Sequence, residues 1–254
     1  MTAPFGPLQN PVAEFALRMG DSVLVLGQRV SAWCGHAPVL EEDIALANTA
    51  LDLIGQARMW LGLAGKLEGK GRTADDLAFL RDARAFRNCL LVEQPNGDFA
   101  QTLMRQFLFD AWHYPVLTVL TESPNAEIGD IAGKAVKEAA YHFERSSDLV
   151  VRLGDGTQES HDRMQRALEG LWRFTGEMTA PDATDRAACA GVDLDAATAA
   201  CKRNLDSVLR DATLIAPEDV PMRAGGRAGE HTEALGFLLA EMQFLQRAYP
   251  GARW

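Results

Sequence analysis

Hydrophobic residues recur at helical spacing over several long stretches of this chain. The stretch from Pro11 to Trp33 has apolar residues three and four positions apart, and a second run, from Leu40 to Gly69, opens with three acidic residues in its first turn. The second run is about four times the length of an ordinary strand, so we predict a helix there. Helices are also predicted over residues 75–82, 98–121, 125–153, 159–174, 194–209 and 230–248.

The same pattern indicates how these helices are arranged. Residues 98–121 are apolar on nearly every face, which is typical of a central helix, and Pro115 is expected to kink it because proline lacks an N–H. Residues 179–193 are rich in Ala, Asp and Pro and are expected to form a surface excursion. No strand-like alternation persists, so we predict an all-α, up-and-down helical bundle with accessory helices. Residues 1–10 are predicted to be a tail and residues 11–254 a single domain.

Composition and charge narrow the classes of function. The chain has 254 residues, of which 47% are hydrophobic, and this is enough for a continuous core and excludes a disordered chain. Its formal net charge of -10 would repel a nucleic acid backbone or an anionic membrane surface, so neither is expected as a partner. The sequence shows neither a secretory leader nor an apolar run of about 18 residues, so we expect a soluble cytoplasmic protein.

Helical bundles can hold metal ions on inward-facing carboxylates and Glu-x-x-His pairs, because residues three apart on one helix converge between helices. This sequence has partial versions of that pattern. Asp110 and His113 lie three apart, and Glu138 and His142 lie four apart, but no complete pair of Glu-x-x-His motifs exists. These residues are interpreted either as buried hydrogen-bonded or solvated surface groups, or as an unorthodox metal site.

Four stretches of the sequence resemble a known family closely. They are WCGHAPVLEEDIALANTALDLIGQAR, FRNCLLVEQPNGDFAQTLMRQFLFDAWHY, KEAAYHFERSSDLVVRLGDGTQESHDRMQRAL and LLAEMQFLQRAYPGARW. Together they resemble the C-subunit family of the bacterial ring-1,2-phenylacetyl-CoA epoxidases, which are multicomponent monooxygenases of phenylacetate catabolism. The resemblance covers nearly the whole chain and is weakest over residues 1–10 and 179–200.

The resemblance implies a ferritin-like bundle related to the di-iron catalytic chain of the same complex, its A-subunit, with which members of the C-subunit family form the heteromeric core. The catalytic sister carries Asp-Glu-x-x-His on its second core helix and Glu-x-x-His on its fourth. At the matching positions this chain has Leu53 for the first glutamate and Gln56 for the histidine. It then has Ala139 for the second glutamate, and only His142 is kept. Asp110 matches the carboxylate of the third helix.

These replacements indicate a chain without a metal centre of its own. Two iron ions need several anionic oxygens to offset their charge, and Leu53 and Ala139 supply none. The first helix offers Asp21 near the remaining position and no glutamate there. Asp110 and His142 would then be an acid and a base able to pair directly in the bundle interior.

Two hypotheses of function follow from the residues and the resemblance. In the first, the chain is a non-catalytic subunit without an active site or cofactor, which docks and supports the di-iron catalytic chain beside the other subunits of the complex. In the second, it is a metal-dependent oxidoreductase in its own right that uses Asp110, His113, Glu138 and His142. The ligand count and the resemblance both favour the first hypothesis. Whether the chain alone forms a homodimer stays open on this reading.

Overall fold

The computed structural model describes residues 8–252 of the chain. These residues contain ten α-helices and two short 3-10 turns, and no strand is found among them. The prediction of an all-α fold is therefore confirmed. Among residues 8–252, none of the helices combines the length and the hydropathy that a membrane-spanning helix requires. The predicted tail over residues 1–10 lies mostly outside the described residues.

The chain divides into two compact units, Met1–Gln94 with Gly225–Trp254, and Pro95–Ala224. In chain order the helices are α1 (Pro11–Ser31), α2 (Leu40–Glu68), α3 (Ala74–Phe79), α4 (Phe99–Leu120), α5 (Ala126–Gly154), α6 (Gln158–Trp172), α7 (Ala183–Ala188), α8 (Leu194–Asp211), α9 (Glu233–Met242) and α10 (Phe244–Ala248). Helices α4 to α8 belong to the second unit, and the others belong to the first. The prediction of a single domain over residues 11–254 stays a prediction.

In the first unit, α1 and α2 pack along each other as a helical hairpin. Asn10 caps α1, because its side-chain oxygen accepts hydrogen bonds from two backbone N–H groups of the first turn. α2 ends at Gly69, whose φ of 71° is the left-handed conformation that favours glycine after a helix. Phe15 of α1 meets Trp60 of α2 edge-on, with ring centroids 6.1 Å apart. Both predicted helices are confirmed.

An irregular segment, residues 85–94, is fully buried in the first unit. Its backbone groups lack the ladder of a helix or strand, so side chains must satisfy some of them. The Asp21 carboxylate of α1 accepts a hydrogen bond from the Arg87 backbone N–H at 2.7 Å. The same carboxylate binds the guanidinium of Arg81 through both of its oxygens. A buried ion pair therefore fixes this segment against α1.

The Glu93 carboxylate joins His231 and Thr232, near the start of α9, to the buried segment over residues 85–94. Its oxygens accept hydrogen bonds from Asn88 Nδ2 at 2.9 Å, from His231 Nδ1 at 2.8 Å and from the Thr232 backbone N–H at 2.6 Å. The backbone oxygen of Glu93 accepts a hydrogen bond from the Arg29 guanidinium at 2.7 Å. With this many donors, the buried glutamate is satisfied without solvent.

In the second unit, α4 packs against α5, α6 and α8. Asp98 caps α4 by accepting a hydrogen bond from the Gln101 backbone N–H at 3.0 Å. Most residues of α4 are buried, which confirms the prediction of a central helix. The helix continues through Pro115, and the predicted kink stays a prediction.

Residues 179–193, expected to form a surface excursion, are mostly exposed or half-buried, and they include the short helix α7, which begins after a capping box at Asp182. One predicted element differs from the structure. The last predicted helix, residues 230–248, is interrupted at Gln243. The buried side chain of Gln243 donates to two backbone oxygens in and just after α3, and the helical run is divided at this residue.

We expect replacement of Asp21 by Asn to lower the free energy of unfolding by about 3 to 5 kcal/mol. The substitution leaves the buried Arg81 guanidinium without its counter-charge, which is costly in a core. Chemical denaturation followed by circular dichroism measures the change. The matched control is Asp148→Asn, which breaks an exposed pair with Arg152 and should have little effect. Equally small effects of the two substitutions would contradict a structural role for the buried pair.

Candidate functional site

Helices α4 and α5 bring together polar residues that the sequence pattern singled out. On α4, Gln106, Asp110 and His113 lie four and three residues apart, so they share one face of the helix. On α5, His142 and Ser146 lie four residues apart. All five side chains are buried in the second unit. This cluster is the candidate site of that unit.

Asp110 bonds to two other members of the cluster. Its Oδ1 accepts a hydrogen bond from Gln106 Nε2 at 2.8 Å, and its Oδ2 lies 2.9 Å from Ser146 Oγ. Burial raises the pKa of Asp110 to about 8, although both hydrogen bonds and the charge of Arg145 act in the opposite direction. Asp110 is therefore mostly protonated at neutral pH.

The hydrogen bonds of Asp110 come from two uncharged side chains. Gln106 Nε2 donates to Oδ1, and the Ser146 hydroxyl donates to Oδ2. The same hydroxyl lies 3.4 Å from the Phe143 backbone oxygen.

His113 is a neutral imidazole in the same core. Burial, and to a lesser degree the nearby charge of His142, lowers the pKa of His113 to about 3. Its ring packs on Phe109, with centroids 4.9 Å apart, and on Trp112, with centroids 6.1 Å apart. Within residues 8–252 neither ring nitrogen of His113 has a hydrogen-bond partner. His113 therefore behaves as an aromatic core residue and not as a charged base.

The predicted direct pair between Asp110 and His142 is wrong. The carboxyl oxygens of Asp110 bond to Gln106 and Ser146 instead. A protonated carboxyl group needs only uncharged partners, so the core avoids the desolvation of a second charge. His142 is buried close enough to His113 to influence its pKa.

The other positions matched to metal ligands are apolar or uncharged. Leu53 and Gln56 of α2 are buried in the first unit, and Ala139 of α5 is buried in the second. Glu138 precedes Ala139 on α5 and is only half-buried. The structure thus groups Asp110, His113 and His142 within one unit, whereas Leu53 and Gln56 belong to the other.

These residues do not fit a di-iron centre. Such a centre needs several anionic carboxylates, whereas Leu53 and Ala139 have no donor atom and Asp110 is protonated. Asp21, the α1 carboxylate near the remaining position, is bound to Arg81. Among residues 8–252, no group of three or more His, Cys, Asp or Glu side chains could hold a metal ion.

Comparison with known proteins assigns the chain to a family. Residues 7–254 match the family model described as phenylacetic acid catabolic protein. The chain belongs to this family. It is similar to an Escherichia coli (strain K12) protein named as the C-subunit of 1,2-phenylacetyl-CoA epoxidase, with 49% identity over 248 residues, which are 96% of this chain and 100% of that protein. The resemblance to the C-subunit family is thereby confirmed.

The sequence pattern did not predict the buried charges of the first unit. Glu14 Oε1 lies 3.2 Å from Arg87 Nε, and both side chains are buried. Burial lowers the pKa of Arg87, although the charges of Glu14 and Asp21 oppose this effect. One signal was present, because residues 85–94 combine Arg87 and Glu93 with apolar residues that follow neither helical nor strand spacing.

We expect replacement of Asp110 by Asn to remove a pH dependence of stability. The folded-state pKa of Asp110 is about 8, and an unfolded Asp titrates near pH 4, at about 3.9. Between these values the folded chain keeps a proton that the unfolded chain has lost, so stability falls as pH rises. The slope from this group is about 1.4 kcal/mol per pH unit between about pH 6.5 and 7.5. Urea unfolding across that window measures it.

His113 has a lowered pKa in the folded chain, so its titration in the unfolded chain around pH 6.5 makes stability rise with pH. This contribution is the same in the wild type and in the Asn variant, so it cancels in the difference between their slopes. The control is Asp110→Ala, which removes the same titration together with the hydrogen bonds to Gln106 and Ser146. We expect that variant to be about 1 to 3 kcal/mol less stable than wild type near pH 6.5. An Asn variant with the wild-type slope would show that Asp110 is ionised in the folded chain.

Proposed function

We propose that this chain is a non-catalytic subunit of a phenylacetyl-CoA epoxidase complex. It docks to and supports an iron-bearing catalytic chain, and oxygen is inserted into phenylacetyl-CoA in that sister chain. The name of the Escherichia coli relative, the C-subunit of 1,2-phenylacetyl-CoA epoxidase, supports membership of such a complex. In this proposal the chain holds no cofactor of its own.

The observation that carries the proposal is the chemistry of the positions matched to metal ligands. Leu53 and Ala139 are buried and apolar, and Gln56 is a neutral amide. The acid among them, Asp110, is protonated and bonded to uncharged neighbours. Iron ions bound there would lack the anionic oxygens that offset their charge. A chain with these residues is consistent with a role in which it supports an iron-bearing partner and binds no iron itself.

The alternative, an oxidoreductase in its own right, has less support. It needs Asp110, His113, Glu138 and His142 to act together on a metal ion. Asp110 and His113 are both neutral at physiological pH and are committed to packing or to uncharged partners. No group of three such side chains within the described residues could hold a metal ion.

We expect the purified chain to contain less than stoichiometric iron and to show no di-iron absorption, because Leu53 and Ala139 provide no ligand. It should not epoxidise phenylacetyl-CoA alone, even with a reductase and NADPH. Adding the iron-bearing sister chain should give turnover. Metal analysis, absorption spectroscopy and product detection on the same preparation measure these outcomes.

The matched control is the sister chain prepared in the same medium, which should hold about two iron ions per chain as a di-iron carboxylate protein does. Two tightly bound iron ions in this chain, or turnover by this chain alone, would contradict the non-catalytic role.

A further inference from the structure

His231, just before α9, has both of its ring nitrogens facing hydrogen-bond acceptors. Nδ1 lies 2.8 Å from Glu93 Oε2, and Nε2 lies 3.1 Å from the Phe86 backbone oxygen. The side chains of His231 and Glu93 are 4% and 0% exposed, so solvent has little access to either contact. A neutral imidazole has a single N–H and cannot donate at both places.

The two contacts therefore require two hydrogen atoms. The Phe86 carbonyl oxygen can only accept, so one hydrogen lies on Nε2 of His231. The second lies between Nδ1 and Glu93 Oε2, because lone pairs facing each other at 2.8 Å would repel. Glu93 also accepts hydrogen bonds from Asn88 Nδ2 and the Thr232 backbone N–H, and such donors favour an ionised carboxylate. The second hydrogen thus lies on Nδ1, and the ring is an imidazolium.

The Glu93 carboxylate also caps the start of α9. Thr232 is the N-cap residue of α9, but its side chain makes no capping hydrogen bond, and its buried hydroxyl has no partner within residues 8–252. Glu93 Oε1 accepts the Thr232 backbone N–H at 2.6 Å, which is the bond that an acidic residue of the first turn makes in a capping box. Its negative charge also lies where the helix dipole favours it.

Arg29 of α1 faces the pair from one side. Its guanidinium donates to the Glu93 backbone oxygen at 2.7 Å and to the Ala234 backbone oxygen at 3.0 Å. The charges of Glu93 and Glu241 both act on Arg29, so its positive charge favours the ionised form of Glu93 in return.

Arg87 faces the pair from the buried segment. Its Nη1 donates to the Phe86 oxygen at 2.8 Å, and the same oxygen faces His231 Nε2. The charge of Arg87 is offset by Glu14, whose Oε1 lies 3.2 Å from Arg87 Nε. The neighbouring guanidinium therefore leaves room for a charged ring.

The remaining charged residues near the pair along the chain are exposed or half-buried, namely Arg84, Arg227, Glu230 and Glu233. Histidine is the residue type among all these groups that ordinarily gains or loses charge near neutral pH. A change of charge in this region near neutral pH is therefore assigned to the His231 ring.

We propose that the Glu93–His231 contact is a proton-dependent switch for the start of α9. While both ring nitrogens carry hydrogen, the contact holds Thr232 and the first turn of α9 on the buried segment over residues 85–94. Loss of one hydrogen as pH rises releases this turn. The inference concerns the first unit alone and does not rest on the proposed function.

The release follows from what the ring faces. After loss of one hydrogen, either Nε2 presents a lone pair to the Phe86 oxygen or Nδ1 presents one to the Glu93 carboxylate. Both arrangements are repulsive, and the enclosed site has little water to relieve them. The ring must then move. Because His231 directly precedes Thr232, its movement weakens the hydrogen bond between Thr232 and Glu93.

Nitrogen NMR of the histidine side chains tests the protonation of the ring. At about pH 7 we expect hydrogen on both ring nitrogens of His231 in the wild-type chain. The variant Glu93→Gln keeps the shape of the partner and removes its charge, so its ring should be neutral at the same pH, because a charged group without a counter-charge is costly in a core. A neutral ring in the wild type, or a doubly protonated ring in Glu93→Gln, would overturn the proposal.

Hydrogen exchange of the Thr232 backbone N–H tests the release. Between about pH 6.5 and about pH 9 we expect its protection, corrected for the intrinsic exchange rate, to fall by about tenfold or more. The reference is the Val12 backbone N–H, which donates at 2.9 Å to the uncharged cap Asn10 and should keep its protection. Constant protection at Thr232, or an equal loss at Val12, would contradict a local switch.

The variant His231→Gln tests whether this histidine is the titrating group. Its amide donates from one end only, so the protection of Thr232 should be low at both pH values. The matched control is His36→Gln, which changes an exposed histidine of the same unit and should keep the wild-type pH dependence. A wild-type pH dependence in His231→Gln would refute the proposal. The wild-type measurements need no substitution, so they decide the question even if a variant fails to fold.

Discussion

A carboxyl group buried between helices must lose its charge or gain a partner, because an isolated ion in the core loses its hydration. This chain uses both solutions. In the first unit, Asp21 and Glu14 of α1 contact buried arginines, and these contacts fix the irregular segment over residues 85–94. In the second unit, Asp110 keeps its proton and bonds to two uncharged side chains. Each of these buried acids is therefore either paired with an arginine or kept neutral by its proton.

This requirement also links the fold to the proposed role. In a di-iron bundle the positive charge of the metal ions offsets the negative charge of several buried carboxylates. A bundle that lacks these carboxylates therefore cannot hold the metal ions. Under the proposed function, Leu53 and Ala139 stand where two of these acids would be, and the raised pKa of Asp110 keeps its carboxyl group neutral. Under the proposed function, the remaining contribution of the chain comes from its surface.

The sequence predicted the long helices well, because apolar spacing and capping residues are local signals. α2 was predicted from Leu40 to Gly69 and spans Leu40–Glu68. Features that depend on distant contacts were not predictable in the same way. Gln243, where the last helical run is divided, donates to two backbone oxygens that are distant in the sequence, and Asp110 bonds to Ser146 of a neighbouring helix and not to His142. The spacing of residues along one helix does not indicate which distant residues their side chains will contact.

The protonation state of Asp110 is the most direct test of the view that the core is neutral without a metal. Infrared difference spectra between the wild-type chain and Asp110→Asn, recorded across neutral pH, report the carbonyl stretch of a protonated carboxyl group. We predict a protonated-acid band at neutral pH that disappears only as pH rises through about 8. A band of an ionised carboxylate already present at pH values near the ordinary pKa of Asp, about 4, would contradict this view.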